Sequence, residues 1–334
     1  MTAALVLLGG ALGATMAWAR IGFTGAFRAR LSGGDATGLV PIFVFLAAAI
    51  PLHAIAFGAL DLGGGFVAPA GFAVAIGAFV FGIGMQLANA CGSGTLVALG
   101  SGSPRMLAVL PFFVLGSFLG TLVAPSFDAL PAFAAFSAGE AWGWRLTALV
   151  QLGILAALWF AVARGARLDR DGAIAALVLA GLAVLALPLA GHPWGITWGF
   201  TLAGAKIALW SGWDPAGSAF WTQDWTHAAL MAPLWADTTV AMDIGLVAGA
   251  TLALTAAGRY GGFAPPGARQ FLAAALGGLA MGVGARLSGG CNIGAFVGGV
   301  VSGSPHGWLW LAACLAGCKA GIALRPLFGF GRAK

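Results

Sequence analysis

The sequence predicts an all-α polytopic membrane protein, with about nine transmembrane helices in two inverted repeats and two re-entrant segments rich in Cys and Gly. Three observations predict this class: 60% of the 334 residues are hydrophobic, only 8% are charged, and 55 are glycine. A soluble domain carries about 25% charged residues, so a soluble globule of this size is excluded. Glycines let membrane helices approach closely, and the 13 tryptophans suit helix ends at the membrane interface.

Apolar runs of about 20 residues can cross a bilayer. Nine such runs form one predicted transmembrane domain over residues 1–334: 2–19, 39–60, 70–90, 105–124, 142–163, 173–190, 238–257, 270–288 and 306–324. No Lys or Arg precedes the first run, so we expect a retained helix rather than a cleaved signal peptide. The Trp-rich stretch 192–237 predicts short helices at the interface.

The positive residues predict the orientation of these spans. Twelve of the 16 Lys and Arg residues fall on one side of the nine-span arrangement: Arg20, Arg28, Arg30, Arg105, Arg164, Arg167, Arg170, Arg259, Arg269, Arg325, Arg332 and Lys334. Loops rich in Lys and Arg stay in the cytoplasm. We therefore predict a bacterial inner-membrane protein with a periplasmic N-terminus and a cytoplasmic C-terminus. The net charge of +6 reflects this bias and predicts no nucleic-acid partner.

The two halves of the chain resemble each other. The strongest match sets 82–97 against 282–297, and Ser-Gly-Ser-Pro follows both. Repeat 1 then covers about 1–124 and repeat 2 about 173–324, with the span 142–163 between them. An odd number of crossings separates equivalent elements, so the repeats are inverted. Inverted repeats are typical of transporters, whose site lies where interrupted helices meet near the midplane.

Cys91 and Cys291 occupy equivalent positions in the two Gly-rich segments, 91–103 and 291–304. A helix starting just after each Cys would aim free N–H groups and a positive dipole end at a central cavity, which creates an anion site without a formal charge. A thiol adds a weak donor and a polarizable sulfur, which suits an anion that itself contains sulfur. The simpler alternative is that both Cys only pack. The predicted site residues are Cys91, Cys291, Gly92, Gly94, Asn292 and Gly294 in these segments, and Asn89 just before the first.

Other polar groups in the apolar spans leave more than one interpretation open. Arg286 either attracts anions at the external mouth or extends to lipid headgroups. Asp243 is expected near the external surface, solvated or paired. Cys314 and Cys318 lie one turn apart, where packing against lipid or a helix is favoured over contact with a soft ligand or a metal. No Cys has partners at metal-ligand spacing, so neither a metal nor a cofactor is predicted.

The paired Cys-x-x-Gly segments, the stretch 20–28 and Trp194-Gly195-Ile196-Thr197 resemble the YeeE/YedE sulfur-transport family of bacterial inner-membrane proteins. The resemblance implies thiosulfate uptake through an hourglass-shaped protein in which a few cysteines contact the anion in turn. Cys91 and Cys291 match two of these cysteines, whereas Gly22 stands at the position of the third. Two explanations are open. Either this chain carries an anion other than thiosulfate, or the anion leaves along the Gly22 backbone and nearby Arg20 and Arg28 without a third thiol.

The leading hypothesis is a transporter for a small sulfur-containing anion, most simply thiosulfate, in contact with lipid and served by a cytoplasmic sulfur-carrier protein. YedE relatives linked to selenium handling add a selenium anion as an alternative. A membrane sulfurtransferase carrying a persulfide is a second class, and it would need a thiol of lowered pKa with a neighbouring base. A structural subunit is the third class. The sequence contains no Walker A, H-E-x-x-H or G-x-S-x-G motif, and its Gly82-x-Gly84 lies in an apolar helix, so we expect no enzyme.

Overall fold

The computed structural model describes residues 2–167 and 170–331. Within these residues nine helical stretches are long and apolar enough to cross a membrane, which confirms the all-α polytopic class. Their main helices are α1 Thr2–Ala19, α3 Val40–Gly58, α4 Phe72–Ala88, α6 Met106–Val123, α8 Trp144–Val162, α9 Arg170–Val184, α13 Thr238–Ala256, α14 Ala268–Leu287 and α16 Pro305–Leu324. Arg332 and Lys334, which entered the orientation argument, lie outside the described residues.

Shorter elements connect these helices. They are α2 Phe23–Leu31, α5 Gly92–Gly100, α7 Ala138–Trp142, α10 Ala186–Ala190, α11 Thr197–Trp210, α12 Asp224–Met231, a π-helical turn Asn292–Val297 that continues as α15 Gly298–Val301, and the two-residue strands β1 Ala70–Gly71 and β2 Ala132–Phe133. Strand β1, directly before α4, pairs antiparallel with β2, which lies in the connection between α6 and α7. Local sequence explains the start of α13: the Asp237 carboxylate caps it by accepting hydrogen bonds from the N–H groups of Thr239 and Val240.

Glycine determines how closely the long helices pack. On α1, a Cβ atom at Gly9 would collide with the carbonyl of Met242 on α13, and one at Gly245 would collide with the carbonyl of Val6. Small residues at such contacts let helix backbones touch, which replaces the hydrophobic driving force that lipid removes. The high glycine content therefore serves helix packing.

The long helices pack in matching pairs. Helix α1 packs along α13 while α3 packs along α9, and α6 packs along α14 while α4 packs along α16. Helices α4 and α14 also pack on each other. In the predicted repeats α1, α3, α4 and α6 correspond to α9, α13, α14 and α16. Exchanging each helix for its counterpart turns every one of these contacts into another contact of the same set, as inverted repeats require. The repeat relationship itself stays a prediction that superposition of the halves would test.

Two stretches differ from the sequence prediction. Residues 20–38 were expected as a loop, but they contain α2, whose face carries the buried Phe23 and Phe27 one turn apart. The stretch 192–237 was expected at the interface, yet the first half of α11 is buried against α6, α13 and α14. Its tryptophans divide accordingly: Trp194 and Trp221 are buried, whereas Trp210, Trp225 and Trp235 are exposed.

Candidate functional site

Each predicted cysteine segment begins with a break between two helices. Helix α4 ends at Ala88, Asn89 adopts a left-handed conformation with φ 62°, and Cys91 is the N-cap residue of α5. Asn tolerates this backbone better than most residues. In the second half α14 ends at Leu287, and Cys291 is the N-cap residue of the π-helical turn. Short helices therefore start directly after both cysteines, as the sequence predicted.

The two breaks meet inside the protein. A Cβ atom on Gly92 would lie 2.9 Å from the sulfur of Cys291 and 3.5 Å from a methyl group of Thr197, the first residue of α11. Both thiols are free, and Cys91 and Cys291 are 1% and 0% exposed. Three short helices, α5, α11 and the π-helical turn, thus begin around one point.

Backbone N–H groups at the start of each short helix face the preceding thiol, and at Cys91 the thiol caps the helix. The Gly94 N–H donates to the Cys91 sulfur at 3.4 Å, and the Ser93 hydroxyl lies 3.6 Å from the same sulfur. At Cys291 the matching capping hydrogen bond is not formed, but the N–H groups of Ile293 and Gly294 face its thiol. The first N–H groups of a helix have no partner within the helix. Here they point to the sulfur atom of the preceding cysteine.

Asn292 directly follows the second cysteine. Its side chain is 0% exposed, and within the described part of the chain neither its amide nitrogen nor its oxygen has a hydrogen-bond partner. Trp194 precedes α11 and is similarly buried, with an indole N–H that lacks a partner. A buried polar group without a hydrogen bond costs about 1–3 kcal/mol. A polar ligand between the breaks would relieve this cost.

Open space surrounds two of the predicted glycines. A Cβ atom on Gly22 or on Gly294 would meet no atom within 4 Å. Gly22 is the N-cap residue of α2, and its φ of −166° is ordinary extended backbone. A side chain at Gly22 would therefore fit without strain. Gly94 instead borders a cavity of about 530 Å³ that Arg20 and Arg259 also line.

Arginines gather at one end of the site. The Arg28 guanidinium donates to the Asn89 side-chain oxygen at 2.5 Å, and Arg325 donates to the Gln86 carbonyl at 2.6 Å. Burial and then the charge of Arg28 lower the pKa of Arg105 below its ordinary value. Arg105 and Arg325 both stack on the ring of Phe330, 4.9 and 4.2 Å from its centroid. Arg28, Arg105 and Arg325 repel one another electrostatically, so they form a positive region, and Arg28 joins it to Asn89.

Arg286 lies at a different cavity. This cavity measures about 650 Å³, and its lining includes Asp128, Phe220, Arg286 and Gly289, two residues before Cys291. The guanidinium lies 4.7 Å from the Phe220 ring centroid, and its Nε has no hydrogen-bond partner among the described residues. Arg286 thus borders a cavity next to the second break. An arginine that attracts anions at the external mouth would have to lie at such a cavity.

The structure corrects the prediction for Asp243. This residue was expected to be solvated or paired, but it is buried, and neither carboxylate oxygen has a hydrogen-bond partner among the described residues. The reason is that α11, expected at the interface, folds against this face of α13. Cys314 and Cys318 are both 0% exposed, and their backbone packs against Gly82 of α4. The Cys314 thiol also interacts with Cys318 and, electrostatically, with Cys91 and Cys291, so both interpretations of this pair stay open.

Among the described residues there is no group of three or more His, Cys, Asp or Glu side chains that could hold a metal ion.

The fold and the two helix breaks define a polytopic membrane protein with a buried candidate site of thiols, amides and helix N-termini. Comparison with known proteins makes the assignment specific: residues 18–320 match the model of the family described as sulphur transport. The chain belongs to this family, and the resemblance to YeeE/YedE proteins is confirmed.

A curated relative supports the same class. The chain is 27% identical over 262 residues to the thiosulfate transporter TsuA of Spirochaeta thermophila, and the match covers 70% of this chain and 72% of the relative. The family and this relative are transporters, so the chain is assigned to sulfur transport rather than to a family of enzymes.

Proposed function

We propose that this protein carries thiosulfate across the inner membrane of a bacterium, through a central pathway lined by Cys91 and Cys291. The observation that carries this proposal is the contact between Gly92 and the Cys291 sulfur, which brings together two helix starts that each have a Cys as the N-cap residue. Asn292, which is buried and has no side-chain hydrogen-bond partner in the described part of the chain, directly follows Cys291.

The chemistry of the site suits a small dianion that contains sulfur. Helix N-termini offer partial positive charge to its oxygens, and the thiols offer weak S–H donors and polarizable contact to its terminal sulfur. None of these groups carries a full charge. A site of partial charges can bind an anion and still release it, as passage through a pathway requires.

We propose a path through the three regions of the site. The anion arrives from the periplasm at the cavity beside Arg286, passes between Cys291 and Cys91, and leaves toward Gly22, Gly94 and the arginines on the cytoplasmic side. Positive charge at both ends attracts an anion, and the centre dehydrates it. This direction assumes the orientation predicted from the Lys and Arg distribution. Lipid surrounds the apolar helices, and a cytoplasmic sulfur-carrier protein would receive the anion.

Two alternatives use the same cysteines. A selenium-containing anion would meet the same soft contacts, because selenium and sulfur are similarly polarizable. A membrane sulfurtransferase would instead form a persulfide, which needs a thiolate. Cys91 and Cys291 are 1% and 0% exposed, so an acceptor of the transferred sulfur would first have to reach the protein interior.

The test is uptake by purified protein in lipid vesicles. Vesicles containing the protein should accumulate ³⁵S-thiosulfate, and mass spectrometry should recover the anion chemically unchanged. Competition by unlabelled thiosulfate, sulfite, sulfate, selenite and selenosulfate then ranks the substrates. Stronger competition by a selenium anion would favour the first alternative. A persulfide on Cys91 with conversion of the anion would favour the sulfurtransferase. Absence of uptake of any of these anions, with a carrier protein supplied, would refute transport.

A further inference from the structure

Asp243 is a buried acid inside the membrane-spanning part of the protein. Its side chain is 6% exposed, and no other Asp or Glu among the described residues is buried. Neither carboxylate oxygen has a hydrogen-bond partner there. Ionisable residues within membrane spans are costly, and proton pathways in transporters are built from them. Asp243 therefore requires a function or a bound partner that explains its burial.

The carboxyl group lies next to the proposed anion site. A Cβ atom on Gly199 would lie 2.5 Å from Oδ2 of Asp243, so the carboxyl packs directly on the backbone of α11. Helix α11 begins at Thr197, which also borders the Gly92–Cys291 contact. Asp243 also interacts electrostatically with the Cys291 thiol. A negative charge on Asp243 and an anion between the cysteines would therefore repel each other.

The elements around α13 offer little compensation for that charge. Helices α1 and α5 and the turn Leu234–Ala236 pack on α13 and contain no charged or titratable side chain. Helix α11 contributes Lys206, which donates to the carbonyls of Leu230 and Ala232. Asp237 at the start of α13 accepts hydrogen bonds from Trp198 and from two backbone N–H groups. His192 faces α13 through the hydroxyl of Thr238.

We infer that Asp243 binds a proton together with the anion, so that anion uptake and proton uptake are coupled. An approaching anion raises the free energy of the carboxylate, and a proton on Asp243 removes the repulsion. The proton comes from water on the side where the anion enters and forms an O–H bond on the carboxyl group. That bond breaks when the proton passes to cytoplasmic water after the anion has left. This inference rests on the proposed function, since it assigns the coupling ion of the same site.

The test measures both ions in the same vesicles. Full-length protein is reconstituted with a pH-sensitive dye inside, and ³⁵S-thiosulfate uptake is followed with and without an inward proton gradient. In wild type we expect the gradient to accelerate uptake severalfold and thiosulfate uptake to acidify the lumen. Asp243→Asn should keep thiosulfate exchange between the two sides but lose the response to the gradient. Asp224→Asn, a matched change at the start of the short helix α12, should behave as wild type.

The outcomes separate this inference from the proposed function. Normal wild-type uptake that ignores the proton gradient would overturn the coupling and leave transport standing, and this result needs no variant. An unaltered gradient response in Asp243→Asn would also overturn it, as would acceleration by a sodium gradient alone. Absence of wild-type uptake of every sulfur and selenium anion would overturn both.

An infrared measurement tests the proton without transport. The thiosulfate-induced difference spectrum of purified protein should contain the carbonyl stretch of a neutral carboxyl group. This band should disappear in Asp243→Asn and persist in Asp224→Asn. A spectrum in which thiosulfate binds without such a band, or in which Asp243→Asn retains it, would refute protonation of Asp243.

Discussion

Gly92 lies against the thiol of Cys291, so closely that a Cβ atom on Gly92 would stand 2.9 Å from that sulfur. The two helix breaks of the two halves meet at this contact. Gly92 permits this approach because it has no side chain. The contact couples the geometry of one cysteine segment to that of the other, and it gives the first prediction.

Gly92→Ala should reduce thiosulfate uptake about tenfold or more, equivalent to a barrier increase of about 1.4 kcal/mol. The added methyl group displaces the Cys291 sulfur, so the thiols no longer present a common surface to the anion. Uptake by reconstituted vesicles measures the effect. Gly153→Ala is the matched control, because a Cβ atom there meets no atom within 4 Å. Equal uptake by the two variants would show that the contact does not matter.

Cys91→Ser and Cys291→Ser should each lower uptake about tenfold or more, because serine keeps a donor but loses the polarizable sulfur. Cys314→Ser and Cys318→Ser should change uptake less than about twofold, because both residues lie within α16 and neither stands at the start of a helix. Uptake is normalised to the amount of folded protein in the membrane. If the two pairs of variants behave alike, the division between site and packing cysteines is wrong.

Gly22→Cys tests the position where the resembling family has a further cysteine. The site has room for the new thiol, so membrane abundance should stay unchanged. A severalfold gain in thiosulfate uptake is expected if the present chain has drifted to another anion. Unchanged or reduced uptake would mean that the Gly22 backbone with Arg20 and Arg28 already serves the passing anion. The competition panel, repeated on the variant, distinguishes a changed rate from a changed preference.

Arg28→Gln should slow uptake severalfold, because the Asn89 side chain loses its cation and the cluster of Arg28, Arg105 and Arg325 loses one of its three positive charges. The difference from wild type should shrink at high ionic strength, since salt screens charge attraction. Arg164→Gln removes an exposed arginine with the same change in net charge and should have little effect. Equal slowing by both variants would indicate a general charge effect instead.

The orientation predicts the behaviour of fusion proteins. Green fluorescent protein fused to the C-terminus should fluoresce, because that end is expected in the cytoplasm. Alkaline phosphatase fused at the same place should be inactive, since it folds only in the periplasm. The reverse pair of results would invert the topology and with it the direction of the proposed path.

The local sequence was enough to predict the membrane-spanning helices and the structure of the cysteine segments. The helix starts after Cys91 and Cys291 were predictable because an apolar run ends there and Gly-rich sequence follows. Helix α2 was missed because its arginines suggested a loop, although Phe23 and Phe27 recur at helical spacing. The partner of Asn89 and the burial of Asp243 were not predictable. Arg28 lies 61 residues before Asn89, and the burial of Asp243 depends on how α11 folds back, which no local pattern records.

The backbone contacts between the halves bear on how a substrate could be moved. Gly9 and Gly245 bring α1 and α13 together, and Gly82 and Gly317 do the same for α4 and α16. A rocking motion of one half against the other would pull these interlocked backbones apart. Transporters that alternate access by such rigid-body rocking need a separable interface between their moving parts. Any rocking motion of this protein must therefore divide it elsewhere than between α1 and α13 or between α4 and α16, so that each of these helix pairs moves as one body.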